Sequence, residues 1–233
     1  MREPSTIAER LAEVRRRIEA AARRGGRDPA AVTLVGVSKR QSLERVRAAI
    51  AAGLGSLGEN QVQEAAAKIP ELPLGLDFHF LGTLQSNKVR SVVRFFDTVH
   101  SVDRLKIARL LEHHAELQDR RLRGFVQVHL GEESSKHGFP LADLAAAIAP
   151  LAELRRLEIV GLMAVPPYEE DPERSRHWFK TLREARDLLA SRPEWRGFPG
   201  LLSMGMSHDF EEAIEEGATI VRVGTAIFGA RRR

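Results

Sequence analysis

The sequence predicts an α/β protein of the closed (β/α)8 barrel class. Three observations lead there. Short apolar, β-branched stretches alternate with amphipathic helical stretches along the whole chain. Eight such units fit within 233 residues, the economy expected of parallel strands joined by right-handed helical crossovers. Polar and glycine-rich residues collect just behind the strands, where barrel enzymes build their sites. The rival, an open doubly wound sheet, carries a glycine-rich turn after its first strand. Here that turn reads Val-Ser-Lys-Arg-Gln over 37–41, without glycine. With no linker or low-complexity tract, residues 1–233 read as a single barrel domain.

The elements follow in order. A first helix is expected over Thr6–Arg24, with Ile7, Leu11, Val14 and Ile18 on one face and Arg27-Asp28-Pro29 closing it. The first strand is Val32–Val37, followed by a helix from Leu43 to Ala52 that Gly53 is placed to stop. Further strands are expected at Ser56–Gly58, Asp77–Leu81, Thr98–Val102, Gly124–Leu130, Glu158–Met163, Gly200–Met204 and Thr219–Val223. Helices separate them at Gln61–Lys68, Asn87–Phe95, Arg104–Asp119, Leu141–Leu154, Glu173–Ser191 and Phe210–Glu216, and a last short one starts after Gly224-Thr225. Pro166–Pro172 fits a loop behind the sixth strand.

Composition excludes several classes of function. The chain has no cysteine, so disulfide scaffolds, iron–sulfur clusters, thiolate zinc sites and cysteine nucleophiles are ruled out. No apolar run approaches the roughly 20 residues of a membrane span. The first residues mix Arg and Glu and lack a signal peptide's apolar stretch, so a cytoplasmic location is expected, away from membranes. The net charge is +4, but acidic residues are interspersed with the arginines, as in EVRRRIEAAARR, which marks solvated helix faces. Only Arg23-Arg24 and Arg231-Arg232-Arg233 stand out, and nucleic acid is not the expected partner.

The chain uses 30 arginines and six lysines, so arginine is its generic surface cation. A lysine kept in such a chain draws attention, because lysine alone can act as a neutral amine or form a Schiff base. Lys39 follows the first strand, and its stem is expected to enter the barrel mouth; the alternative is a snorkelling surface lysine. After the seventh strand comes Ser203-Met204-Gly205-Met206-Ser207, and after the eighth Gly224-Thr225. Both turns lead into helices, whose free backbone N–H groups bind phosphate. The plain alternative is an ordinary helix cap, with Ser207 capping its own helix. Arg222, on the eighth strand, either faces a ligand ring nitrogen or makes a rim salt bridge, for instance with Glu59. A phosphate cradle opposite a buried lysine suggests pyridoxal 5'-phosphate, PLP. His79, His100 and His129, on three successive strands, offer a rival zinc site, although no strand-end acid completes the ligand set.

Several stretches carry a family resemblance: VGVSK at 35–39, GENQVQE at 58–64, HFLGTLQSNK at 79–88, VHSVD at 99–103, SKHG at 135–138, GLMAVPP at 161–167, LSMGMSHDFEEAIEEGAT at 202–219 and VRVGTAIFGAR at 221–231. The chain resembles the YggS/PROSC family, the pyridoxal phosphate homeostasis proteins, over nearly its whole length. The resemblance implies a barrel similar to the N-terminal domain of alanine racemase, with PLP on Lys39 as a Schiff base. It implies that Arg222 faces the pyridine nitrogen and that Asn60 approaches the ring, with Met163 packed beside it. Ser203, Ser207, Gly224 and Thr225 would surround the phosphate. It further implies binding, buffering or delivery of PLP within the cell, to apo PLP-dependent enzymes among others, without strong turnover. A monomer is expected, since the racemase's second domain has no counterpart here. Gln61, where the family often has an aromatic residue, and His129, where it often has Asn, depart from the pattern. A PLP-dependent racemase is the alternative. It needs bases on both faces of its substrate, and this chain has one tyrosine, Tyr168. The role of Lys136 stays open. An interaction protein without a cofactor is a third possibility; it would have no need of the polar cluster behind the strands.

Overall fold

In the computed structural model, which describes residues 6–131, 137–195 and 197–229, the sheet closes on itself. The strands are β1 (Thr33–Val37), β2 (Ser56–Glu59), β3 (Asp77–Phe80), β4 (Thr98–Val102), β5 (Leu122–His129), β6 (Phe139–Pro140), β7 (Leu157–Met163), β8 (Leu201–Met206) and β9 (Ile220–Val223). Their order is β4-β3-β2-β1-β9-β8-β7-β5, and a β4–β5 pairing joins the ends. All of these neighbours are parallel. The two-residue β6 pairs with the end of β5 outside the ring, an addition that the sequence pattern did not announce.

The outer layer is α1 (Ile7–Arg24), α2 (Leu43–Ala51), α3 (Val62–Lys68), α4 (Val89–Phe95), α5 (Leu105–Leu117), α6 (Leu144–Ala152), α7 (Arg176–Ala190), α8 (Phe210–Glu215) and α9 (Thr225–Phe228). Helix α1 opens with a capping box: Thr6 Oγ1 accepts from Glu9 N–H while Glu9 accepts from Thr6 N–H. Its apolar stripe Leu11, Val14 and Ile18 is buried as the periodicity predicts. Three of the expected helices, those behind β3, β6 and β7, begin as 3-10 turns at Ser86–Lys88, Leu141–Asp143 and Pro172–Ser175. None of the three α-helices that follow has a side-chain cap, so a tighter first turn precedes each.

The strands are covered on both faces, which is why they read as near-continuous apolar runs. Outward residues such as Leu34, Leu57, Val99, Val126, Leu202 and Val221 belong to the layer packed under the helices. Inside the barrel lies a smaller apolar cluster of Val35, Phe125, Val160, Met163 and Ile220. The remaining interior is polar, with His79, His100, Ser203 and Arg222 all buried. The Arg23-Arg24 pair faces acids: Arg24 bonds Glu211 at 2.8 Å and Glu215 at 2.7 Å, and Arg23 pairs with Glu19. That arrangement ties α1 to α8 and neutralises the basic face. Arg231-Arg232-Arg233 and Lys136 lie outside the described residues.

Candidate functional site at the barrel mouth

The turn after β8 is shaped by Gly205. Its φ of +89° lies in the left-handed region, and a Cβ there would meet the Ala213 Cβ at 2.6 Å. The same place is a bulge: Ser203 pairs with Ile220 and Met206 with Arg222, three residues advancing against two. The bulge turns Ser207 toward the next βα turn. Ser207 Oγ accepts from the backbone N–H of Gly224 at 3.1 Å and of Ala226 at 3.3 Å. Ser207 therefore does not cap its own helix. Asp209 holds that turn instead, accepting from Met206 N–H at 2.7 Å. Burial pushes the Asp209 carboxyl upward, against the Met206 hydrogen bond and the charge of Arg222. Two donors of the α9 turn thus converge on one point that at present holds a hydroxyl oxygen. This is the chemistry of an oxyanion receptor. Thr225, the first residue of α9, is exposed beside it.

Below this cradle lies Arg222, only 5 % exposed. Its guanidinium donates to Ser203 O at 2.7 Å, to Ser203 Oγ at 2.6 Å and to Ala164 O at 2.8 Å. All three acceptors are neutral. Burial pulls Arg222 down to about 10, with Asp209 opposing, and the side chain still carries its charge at neutral pH. The alternative of a rim salt bridge with Glu59 is not what forms. Ser203 is fully buried, and its hydroxyl is shared between Arg222 and His100, the latter at 2.8 Å.

Lys39 sits half-buried in the turn after β1. The residues flanking it are clamped by a cluster behind β2. Ser38 Oγ donates to Glu59 Oε1 at 2.7 Å. Lys68 Nζ donates to Ser38 O at 2.8 Å, Glu59 Oε1 at 2.9 Å and Glu64 Oε1 at 2.6 Å. Glu64 also accepts from the backbone N–H of Arg40, whose φ of +59° marks a tight turn. Burial pushes the Glu59 carboxyl up, while Lys68 and Ser38 oppose that shift. Its second oxygen, Oε2, is buried without a partner. Asn60 follows, half-buried, with its backbone against Gly82: a Cβ on Gly82 would stand 2.1 Å from Asn60 O. Met163, 2 % exposed, closes the interior cluster at the end of β7.

The structure thus brings Lys39, Asn60, Met163, Ser203, Ser207, Arg222, Gly224 and Thr225 to the carboxyl ends of β1, β2, β7, β8 and β9. Ser203 faces inward, toward Arg222 rather than Ser207. A cavity of about 220 Å³ opens at the same end, lined by Thr83, Gln127, His129, His137 and Val165. A larger one, about 450 Å³, lies at the opposite end near Arg15, Thr33 and Ser56. His79 and His100 bond each other at 2.8 Å, and among the described residues no group of three metal-ligating side chains gathers. What sequence reasoning missed is the support: Lys68 and Glu64 behind Lys39, and the Ala164 carbonyl under Arg222. Alternation along β3 and β4 carried a signal for the histidine pair, since Asp77, His79 and His100 fall on inward positions.

Comparison with known proteins follows the same lines. Residues 10–232 match the family described as "Alanine racemase, N-terminal domain". The pyridoxal phosphate homeostasis protein of Escherichia coli strain K12 is 44% identical over 229 residues, 97% of each chain. That of Pseudomonas aeruginosa is 46% identical over 229 residues, covering 97% of this chain and 96% of the relative. The solved structure of PipY from Synechococcus elongatus with PLP bound superimposes with a TM-score of 0.83 at 37% identity, covering 96% of this chain and all (100%) of that one. Alanine racemase of Clostridium difficile shares the fold at a TM-score of 0.69 and 13% identity, over 94% of this chain but only 60% of the racemase. This chain belongs to the alanine racemase N-terminal domain family, and within it to the pyridoxal phosphate homeostasis proteins.

Proposed function

We propose that this protein binds PLP at the barrel mouth and serves intracellular PLP homeostasis by binding, buffering or delivering the cofactor. One observation carries the reading. Strand β1, which ends just before Lys39, is hydrogen-bonded directly to β9, which carries Arg222 and the Gly224 turn. Lysine, arginine and oxyanion receptor therefore share one seam of the barrel. The residues fit the group: an amine for its aldehyde, converging N–H donors for its phosphate, and a cation for its ring nitrogen. When bound, PLP supplies an electrophilic aldehyde and a conjugated ring. Lys39 is the residue that would hold the aldehyde carbon. Ser207, Gly224 and Thr225 would hold the phosphate, with Ser203 anchoring Arg222 beneath it. Arg222, charged at neutral pH, would donate to the ring nitrogen and leave it unprotonated, which would make the ring a weak electron sink. Asn60 and Met163 would lie beside the ring.

A carrier role rather than strong turnover agrees with the placement of the single tyrosine. The single tyrosine, Tyr168, is 76% exposed and lies beside His208, with ring centroids 5.4 Å apart and planes tilted by 33°. The relatives are named for homeostasis rather than for a reaction. Delivery to apo-enzymes, a monomeric state and a cytoplasmic location belong to this proposal; no helix among the described residues is long and apolar enough to cross a membrane. Equilibrium dialysis against PLP and against pyridoxal, which lacks the phosphate, tests the site. PLP should bind at least tenfold more tightly, and equal binding would remove the phosphate cradle from the account. Incubation with a panel of amino acids should give no substantial racemisation; fast racemisation would return the enzyme reading.

A further inference from the structure

Arg222 is the upper end of a hydrogen-bonded chain that crosses the barrel interior to its other end. Ser203 Oγ lies 2.6 Å from the Arg222 guanidinium and 2.8 Å from His100 Nδ1. His100 Nε2 lies 2.8 Å from His79 Nδ1, and His79 Nε2 lies 3.1 Å from Asp77 Oδ2. Arg123 closes the chain, donating to both Asp77 oxygens at 2.7 Å. Ser203 and His100 are fully buried and His79 is 2 % exposed. His100 also stacks on Phe125, with centroids 4.6 Å apart and planes inclined by 25°.

With His79 uncharged, donor chemistry sets the direction of this chain. A carboxylate only accepts, so His79 Nε2 carries a hydrogen toward Asp77. A neutral His79 then accepts at Nδ1, so His100 must donate from Nε2. His100 in turn accepts at Nδ1, so the Ser203 hydroxyl must donate to it. That leaves the Ser203 oxygen lone pairs facing Arg222. We infer that Asp77, His79 and His100 are positioning residues for Arg222: they hold the Ser203 hydroxyl as an acceptor, so that the guanidinium keeps one orientation toward the ligand ring. The inference rests on the PLP reading given above. Burial, with the charges of Arg222 and Arg123 adding to it, holds His100 well below the usual imidazole range, in keeping with a neutral ring. Asp77 is pushed up by burial but held down at about 2 overall by His79 and Arg123, in keeping with a carboxylate acceptor. The chain also gives both buried histidines a hydrogen-bonding role.

The test has two independent readouts. Nitrogen-15 NMR of histidine-labelled full-length protein without PLP reads each ring's tautomer, with signals assigned through the His79→Gln and His100→Gln variants. Both rings should be neutral and protonated at Nε2. A His100 protonated at Nδ1, or a cationic His79, reverses the chain and overturns the inference, whatever the protein binds. The second readout compares His100→Gln with His100→Leu. Gln offers one acceptor and one donor, as His100 does; Leu offers neither. His100→Leu should weaken PLP binding about tenfold while His100→Gln stays within about threefold. Equal losses in both variants would reduce the chain to core packing and overturn the positioning role. If neither the wild type nor any variant binds PLP, the function reading has failed, and the tautomers still decide the direction of the chain.

Discussion

The two sides of the barrel mouth are built on opposite principles. On the β1–β2 side, charge answers charge: Lys68 binds Glu59 and Glu64, and that cluster clamps the residues on either side of Lys39. On the β8–β9 side, Arg222 is held only by neutral oxygens, two carbonyls and a hydroxyl. A buried ion cluster is vulnerable to the loss of one partner, because the charge left behind has lost its water. A cation held by neutral acceptors leaves no hydrogen-bonded charge unpaired when removed, although Arg222 also opposes the upward shift of the nearby Asp209 carboxyl. The lysine side is thus a clamp, and the arginine side a fixed electrostatic contact.

That contrast orders the expected effects. Lys68→Met strands the Glu59 carboxylate and should destabilise the protein by about 3–5 kcal/mol in urea denaturation. Adding Glu59→Gln to the same chain should recover much of the loss; no recovery would mean that Lys68 acts by packing rather than charge. Gly82→Ala presses a methyl group onto the Asn60 backbone and should cost about 1–3 kcal/mol, with Asn60 displaced. Arg222→Met leaves the acceptors Ser203 and Ala164 unpaired and breaks no direct ion pair, so it should cost about 1–2 kcal/mol while strongly weakening PLP binding. A loss as large as that of Lys68→Met would break the comparison. A pH-dependent effect of about 2 kcal/mol, comparable with that of Arg222→Met, is expected at Asp77. Its folded value, about 2, lies below that of the unfolded chain. Its contribution is therefore fully present above about pH 4 and fades as pH falls toward 2. The stability gap between wild type and Asp77→Asn, followed from pH 5 to pH 2, should shrink; a constant gap would show that the carboxylate charge is not involved.

Much of this was legible in the sequence because a barrel repeats one physical rule. Each apolar run must be covered on both faces, and each polar run after a strand must fall at one end. That rule singles out Lys39, Ser207, Gly224 and Arg222 as candidates. The β5 strand begins at Leu122, before the expected Gly124, because Leu122 N–H bonds Arg156 O beside β7, a contact that no local pattern encodes. Spacing alone leaves Ser207 either a cap or part of a cradle, and the bulge at Gly205 is what turns it away from its own helix. Spacing likewise allows Arg222 a salt bridge with Glu59, but Lys68 takes that acid from a helix nine residues further along. Pairings that depend on barrel closure, such as His100 with Ser203, join residues 103 apart in the chain and leave no trace in spacing.

The proposed PLP site stands or falls with Lys39 as the residue that would hold the cofactor. Incubation with PLP, borohydride reduction and peptide mass mapping test it most directly. A single pyridoxyl adduct on the peptide containing Lys39, absent from Lys39→Ala, is the predicted result. An adduct confined to another lysine, or none after saturation with PLP, would contradict it.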